Sequence, residues 1–106
     1  MPWLSLILAG VLEIVWAAAM KQSHGFTRLV PSVVTMVAML GSFALLAYAM
    51  RSLPLGTAYT IWTGIGAVGA FLVGVMFMGE AVTPARLGAA ALIVAGLVLM
   101  KLATPG

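Results

Sequence analysis

The sequence predicts an all-α membrane protein, a bundle of four transmembrane helices in a single domain over residues 1–106. Two observations carry that expectation. Hydrophobic residues make up 64% of the 106 residues and charged residues only 7%, a mixture far outside that of a water-soluble domain of this length. The apolar residues also fall into four blocks, approximately 3–20, 29–50, 57–78 and 87–103, each close to the ~20 residues that cross ~30 Å of hydrocarbon. The breaks between blocks are so short that they can join only antiparallel neighbours, which gives an up-down-up-down order. Four spans consume nearly the whole chain, so any chemistry lies among the helices or in loops of a few residues.

The first block, from Trp3 to Met20, stops at Lys21-Gln22-Ser23-His24-Gly25, where Gly25 suits a helix end. No Lys or Arg precedes the block and Glu13 interrupts it, both of which argue against a cleaved signal peptide. The second block runs from Leu29 to Met50, with Thr27 expected as N-cap and Pro31 in the first turn, where the N–H it lacks would have no partner. Arg51-Ser52-Leu53-Pro54 breaks the pattern, and the third block follows from Thr57 to Met78. Thr83 and Pro84 suit the N-cap and first position of the last helix, whose apolar run extends from Leu87 to Ala103.

The net charge of +3 comes from five basic residues against two acidic ones. The basic residues are scattered, without the clustering or aromatic interleaving of a nucleic-acid surface, and read as anchors to membrane lipid; Lys101, near a helix end, would snorkel its ammonium to the headgroups. Cysteine is absent, which excludes disulfides and thiolate metal sites, and His24 lacks companion ligands, so neither metal nor cofactor is expected. Lys21, Arg28 and Arg86 fall on one side of the membrane and Arg51 and Lys101 on the other, a weak bias for the rule that basic loops stay cytoplasmic. A chain so balanced can insert both ways, and two opposed copies would form an antiparallel homodimer, supplying by assembly the inverted symmetry that larger transporters encode as repeats. A fixed topology set by other signals is the alternative.

Glu13 is the most informative residue, because an ionised carboxylate at the centre of an apolar helix costs about 2.5–3.5 kcal/mol to insert and is usually retained for function. At helical spacing it shares a face with Leu6, Ala9, Gly10, Trp16, Ala17 and Met20. A Trp face one turn from a carboxylate suits a cation, through π attraction and indole hydrogen bonding, although Trp16 alone reads equally as packing. In the third span Tyr59, Trp62, Thr63 and Gly66 form one stripe. Tyr59 is near enough to the span's start to be an interfacial anchor, whereas Trp62 and Thr63 lie deeper and argue for a lined cavity. Gly64 and Gly66 suit either a hinge or close packing. Ser42 sits near mid-membrane in the second span, where serine can satisfy itself on its own helix. In the fourth span Gly88 with Ala95, and Ala89 with Gly96, repeat small residues at heptad spacing, a seam expected to be the dimer interface.

The mid-membrane Glu13 and the stretch Tyr59-Thr60-Ile61-Trp62-Thr63-Gly64-Ile65-Gly66, within four spans of this length, together resemble the small multidrug resistance family over essentially the whole chain. The segment Glu13-Ile14-Val15-Trp16-Ala17, with Lys21, Gly41-Ser42-Phe43 and Lys101, is similar to the family's guanidinium-exporter branch; polyaromatic-drug exporters typically carry a small residue where Trp16 stands. The resemblance implies a transporter of the cell's inner (plasma) membrane and not an enzyme. It implies an antiparallel homodimer in which two copies of Glu13 bind guanidinium and protons in competition, and in which Trp16, Ser42, Tyr59 and Trp62 line the site. Export of quaternary ammonium or aromatic cations by the same architecture, and a non-transporting membrane subunit, are the alternatives.

Overall fold

A computed structural model describes residues 2–104; the chain ends that the single-domain expectation includes lie outside the described residues. Four helices run in order, α1 (Pro2–Gln22), α2 (Leu29–Ala49), α3 (Leu55–Phe77) and α4 (Pro84–Ala103). All four are long and apolar enough to cross a membrane, and the described residues contain no strand. The start of α4 follows the expected chemistry: Thr83 is the N-cap, its hydroxyl accepts from the Arg86 N–H at 3.1 Å, and Pro84 opens the helix. The start of α2 differs. Arg28 is the N-cap and makes no side-chain cap bond, because the Thr27 hydroxyl turns back to the Ser23 and His24 carbonyls at 3.2 and 2.9 Å. Pro31 lies in the first turn of α2 as expected, and α3 begins at Leu55, one half-turn before Thr57, because Pro54 in extended conformation caps it.

The connection between α1 and α2 is built on Ser23, which is fully buried. His24, Gly25 and Phe26 all have positive φ (51°, 73° and 67°), a conformation that costs a residue with a side chain roughly 1–2 kcal/mol. Ser23 offsets that cost: its hydroxyl donates to the Met20 carbonyl at 2.7 Å and accepts from the Phe26 N–H at 3.0 Å, while its carbonyl takes the N–H groups of Thr27 and Arg28 at 2.9 and 3.1 Å.

Across the molecule the helices stand in the order α2, α1, α3, α4, and the backbone of α4 approaches only α3. The Cα envelope measures 42 × 34 × 16 Å. The protomer is thus flattened along its shortest axis. Its buried core, Leu6, Ala9, Leu46, Ala49, Leu53, Ala58, Ile61 and Trp62, gathers where the start of α1 meets the end of α2 and the start of α3. Burial along α2 falls on Thr35, Ala38, Ser42, Leu46 and Ala49, successive steps of three and four residues that make one helical stripe facing α1. Helix α4 buries no residue.

Small residues set the close approach of α1 to α3. A Cβ added at Gly10 would overlap Ile65, one at Gly69 would overlap Ile14, and one at Gly66 would overlap the Glu13 carboxyl group. Three interlocking positions of this kind let backbones approach where no hydrophobic force acts between helices in lipid.

Candidate functional site

Glu13 lies half-buried in α1, and its carboxyl group is pressed against the bare backbone of Gly66 in α3. The neighbouring residues Leu6, Ala9 and Gly10 are the buried positions of α1, so the face inferred from helical spacing is the face turned inward. Oε1 of Glu13 is buried and has no hydrogen-bond partner within the protomer, and the same is true of Nε1 of Trp16, one turn further along. The only salt bridge among the described residues joins Arg86, in the first turn of α4, to Glu80 in the loop before it at 3.1 Å. An acceptor and a donor three residues apart on α1 are therefore both buried without a partner, and each group left so costs ~1–3 kcal/mol, more for a charged one. An ionisable group held in this way within a membrane span is a candidate binding or proton-exchange site.

Trp62 lies on α3 one turn before Gly66. Its indole is 7% exposed, and Nε1 donates to Ser42 Oγ at 2.9 Å, while Ser42 donates in turn to the Ala9 carbonyl at 2.6 Å. One hydroxyl thus ties α1, α2 and α3 together at mid-membrane. Ser42 bonds neither its own helix, as an isolated serine does, nor the Glu13 carboxylate. It fixes the indole of Trp62 instead. The Trp62 ring meets Phe43 edge-on, centroids 5.8 Å apart at 63°, and Tyr59 at 5.6 Å and 50°. Tyr59 itself is 52% exposed, so its ring can move without unpacking the core. The Thr63 hydroxyl donates to the Tyr59 and Thr60 carbonyls of its own helix at 2.9 and 3.1 Å, and the residue borders a groove against α4 and not the Glu13 site.

The two α3 glycines face different neighbours. Gly66 makes room for Glu13, and Gly64 makes room for Leu97 of α4; α3 runs unbroken through both. The α4 seam also divides. Ala89 and Gly96 border grooves against α3, whereas Gly88 and Ala95 point away from it, exposed, and Gly88 has no atom within reach of an added Cβ. Ala9, whose carbonyl anchors Ser42, and Phe43, which flanks Trp62, complete the arrangement. Helical spacing had put Ala9 on the Glu13 face, but only the folded chain brings its carbonyl to α2.

The Ser42 link has a measurable weight. Ser42→Ala is expected to lower stability by about 1–2 kcal/mol, by leaving the buried Trp62 N–H unpaired, and to blue-shift or broaden the tryptophan fluorescence as the ring loses its fixed position. Thermal unfolding in mild detergent checks the first and emission spectra the second.

Comparison with known proteins agrees with this architecture. The family model for the Small Multidrug Resistance protein matches residues 1–93. Relatives named "Guanidinium exporter" from Escherichia coli (strain K12) and Citrobacter freundii are 57% and 56% identical to this chain over 104 residues, covering 98% of it and 99% of each relative. A relative of the same name from Salmonella typhimurium is 56% identical over the same length. A match of this extent, to a four-helix membrane chain with a carboxylate at the centre of its first span, means that this protein belongs to the small multidrug resistance family.

Proposed function

We propose that the protein exports guanidinium across the inner membrane in exchange for protons, as an antiparallel homodimer with the two copies of Glu13 in one shared site. The observation that carries this reading is the buried, unpartnered Glu13 oxygen held against Gly66. It is supported by the name of relatives matched along nearly their entire length. Guanidinium is planar and carries its N–H groups in the geometry that carboxylate oxygens accept bidentately. Two carboxylates bracketing it would satisfy both the cation and themselves.

The coupling follows from competition for one site. Glu13 holds either a proton or a share of the cation, so the arrival of one displaces the other, and the two sites must be treated as titrating together. Trp16 offers the cation an aromatic face and its N–H a carboxylate. Ser42 holds Trp62 in place, and Tyr59, exposed over Trp62, stacks on the cation or gates it. Gly64 and Gly66 give α3 the slack to rearrange between inward-open and outward-open states.

The decisive assay is proton-driven uptake into proteoliposomes. Guanidinium is expected to be transported and to be favoured over a polyaromatic cation, because Trp16 fills room a large ring system needs. Urea, of similar shape but uncharged, is expected not to exchange. A polyaromatic cation outcompeting guanidinium would replace this reading with drug export.

The assembly has its own test. Lys21, Arg28 and Arg86 against Arg51 and Lys101 give so small a charge bias that probes at the C-terminus are expected to label from both sides of the membrane in comparable amounts. Gly88→Leu meets open space within the protomer. It is therefore expected to leave the monomer fold intact and to shift the dimer toward monomer, as read by cross-linking. One-sided labelling of an active protein would sink the antiparallel arrangement.

A further inference from the structure

Lys101 takes no part in the site described above. Its Nζ lies 4.2 Å from the centroid of the Trp3 ring, so the side chain folds across from the last turn of α4 to the first turn of α1 instead of extending toward solvent as a snorkelling lysine does. The two residues stand at the mouth of a groove of about 430 Å³ between α1, α3 and α4, lined further in by Ile7, Ile61, Ile65 and Leu97. At about 100° per residue, Ile61 and Ile65 lie well around α3 from Tyr59 and Gly66, so the groove opens on another side of the helix than the Glu13 site.

We propose that this groove binds one acidic phospholipid, its phosphate on the Lys101 ammonium and its acyl chain along Ile7, Ile61 and Ile65. Charge argues for the occupant. Of the two acidic residues, Glu80 is paired with Arg86 and Glu13 sits against Gly66; no carboxylate of the described residues is within ion-pair distance of Lys101. The indole ring attracts the ammonium without neutralising it, and a phosphate would. Depth argues the same way: the mouth, with its Trp and Lys, is at a helix end where headgroups lie, and the apolar lining runs inward from it. Arg51, at the same end of the molecule, stacks on Tyr48 at 5.8 Å and borders no such groove, which makes it the control.

Native mass spectrometry of the purified protein, titrated with phosphatidylglycerol and phosphatidylcholine of identical chains and without guanidinium, tests the site independently of transport. Wild type is expected to retain phosphatidylglycerol ~5-fold over phosphatidylcholine. Lys101→Gln is expected to bring the two to parity, and Lys101→Arg and Arg51→Gln to keep the preference. Val98→Trp, an exposed substitution at the groove edge, is expected to reduce retention of both lipids. An equal loss in Arg51→Gln, a preserved preference in Lys101→Gln, retention unaffected by Val98→Trp, or displacement of the lipid by inorganic phosphate would each overturn the proposal.

Discussion

Glu13→Gln is expected to abolish the proton release that guanidinium triggers in the purified wild type, and to slow exchange in proteoliposomes by ~100-fold or more. The amide is nearly the same size, so it still fits against Gly66 and the α1–α3 contact survives. What it loses is the exchangeable proton and the counter-charge, the two things the proposed mechanism asks of this position. Stopped-flow mixing with guanidinium in weakly buffered detergent, with a pH indicator, reads the release directly. Gel filtration confirms that the variant is folded. Undiminished release would remove Glu13 from the exchange and, with it, the proposed coupling.

Gly66→Ala is the second large effect, and it separates function from stability. A methyl group there would occupy the place of the Glu13 carboxyl end. That end is flexible, so the side chain swings aside at little cost in folding, while the carboxylate loses its seat. Guanidinium affinity is expected to fall ~10-fold or more, a loss of geometry of the kind that misplacement by about an ångström produces, with thermal stability almost unchanged. Gly69→Ala makes the contrast. It drives a Cβ into Ile14, a branched side chain with less room to yield, and is expected to cost ~1–3 kcal/mol of stability. Measuring affinity and unfolding on both variants decides the matter. Equal stability losses would mean that Gly66 is only a packing position.

Much of this was legible in the sequence because the membrane imposes it. Hydrocarbon thickness sets the length of every span, so the four helices could be read directly, and an ionisable residue at mid-span is costly enough that Glu13 stood out as the candidate site residue. Helical spacing also identified which face of α1 turns inward. It could not say what that face meets. Ser42 and Trp62 are joined across separate helices, as are Ser42 and Ala9, and no local pattern encodes the rotation or depth of one helix against another. Gly64 and Gly66 read as one flexible pair, yet neighbouring positions on a helix point in widely different directions, and the two serve α4 and α1 respectively. The exposure of α4 was equally hidden. Its composition is that of any span, and only its lack of buried residues distinguishes it.

The turn centred on Ser23 bears on how the protein can move. Its three left-handed residues are held by bonds to a single buried serine, so bending that corner means breaking several of them together. The helices on either side, α1 with Glu13 and α2 with Ser42, therefore behave as one stiff lever. In the proposed exchange, the freedom that alternating access needs would fall instead on the seam where Gly10, Gly66 and Gly69 face side chains of the opposite helix. There a small slide would carry the carboxylate along α3 and leave both helices whole, at the cost of the Trp62–Ser42 bond. The parts that must stay rigid and the part that must yield are thus separated within a chain of barely a hundred residues.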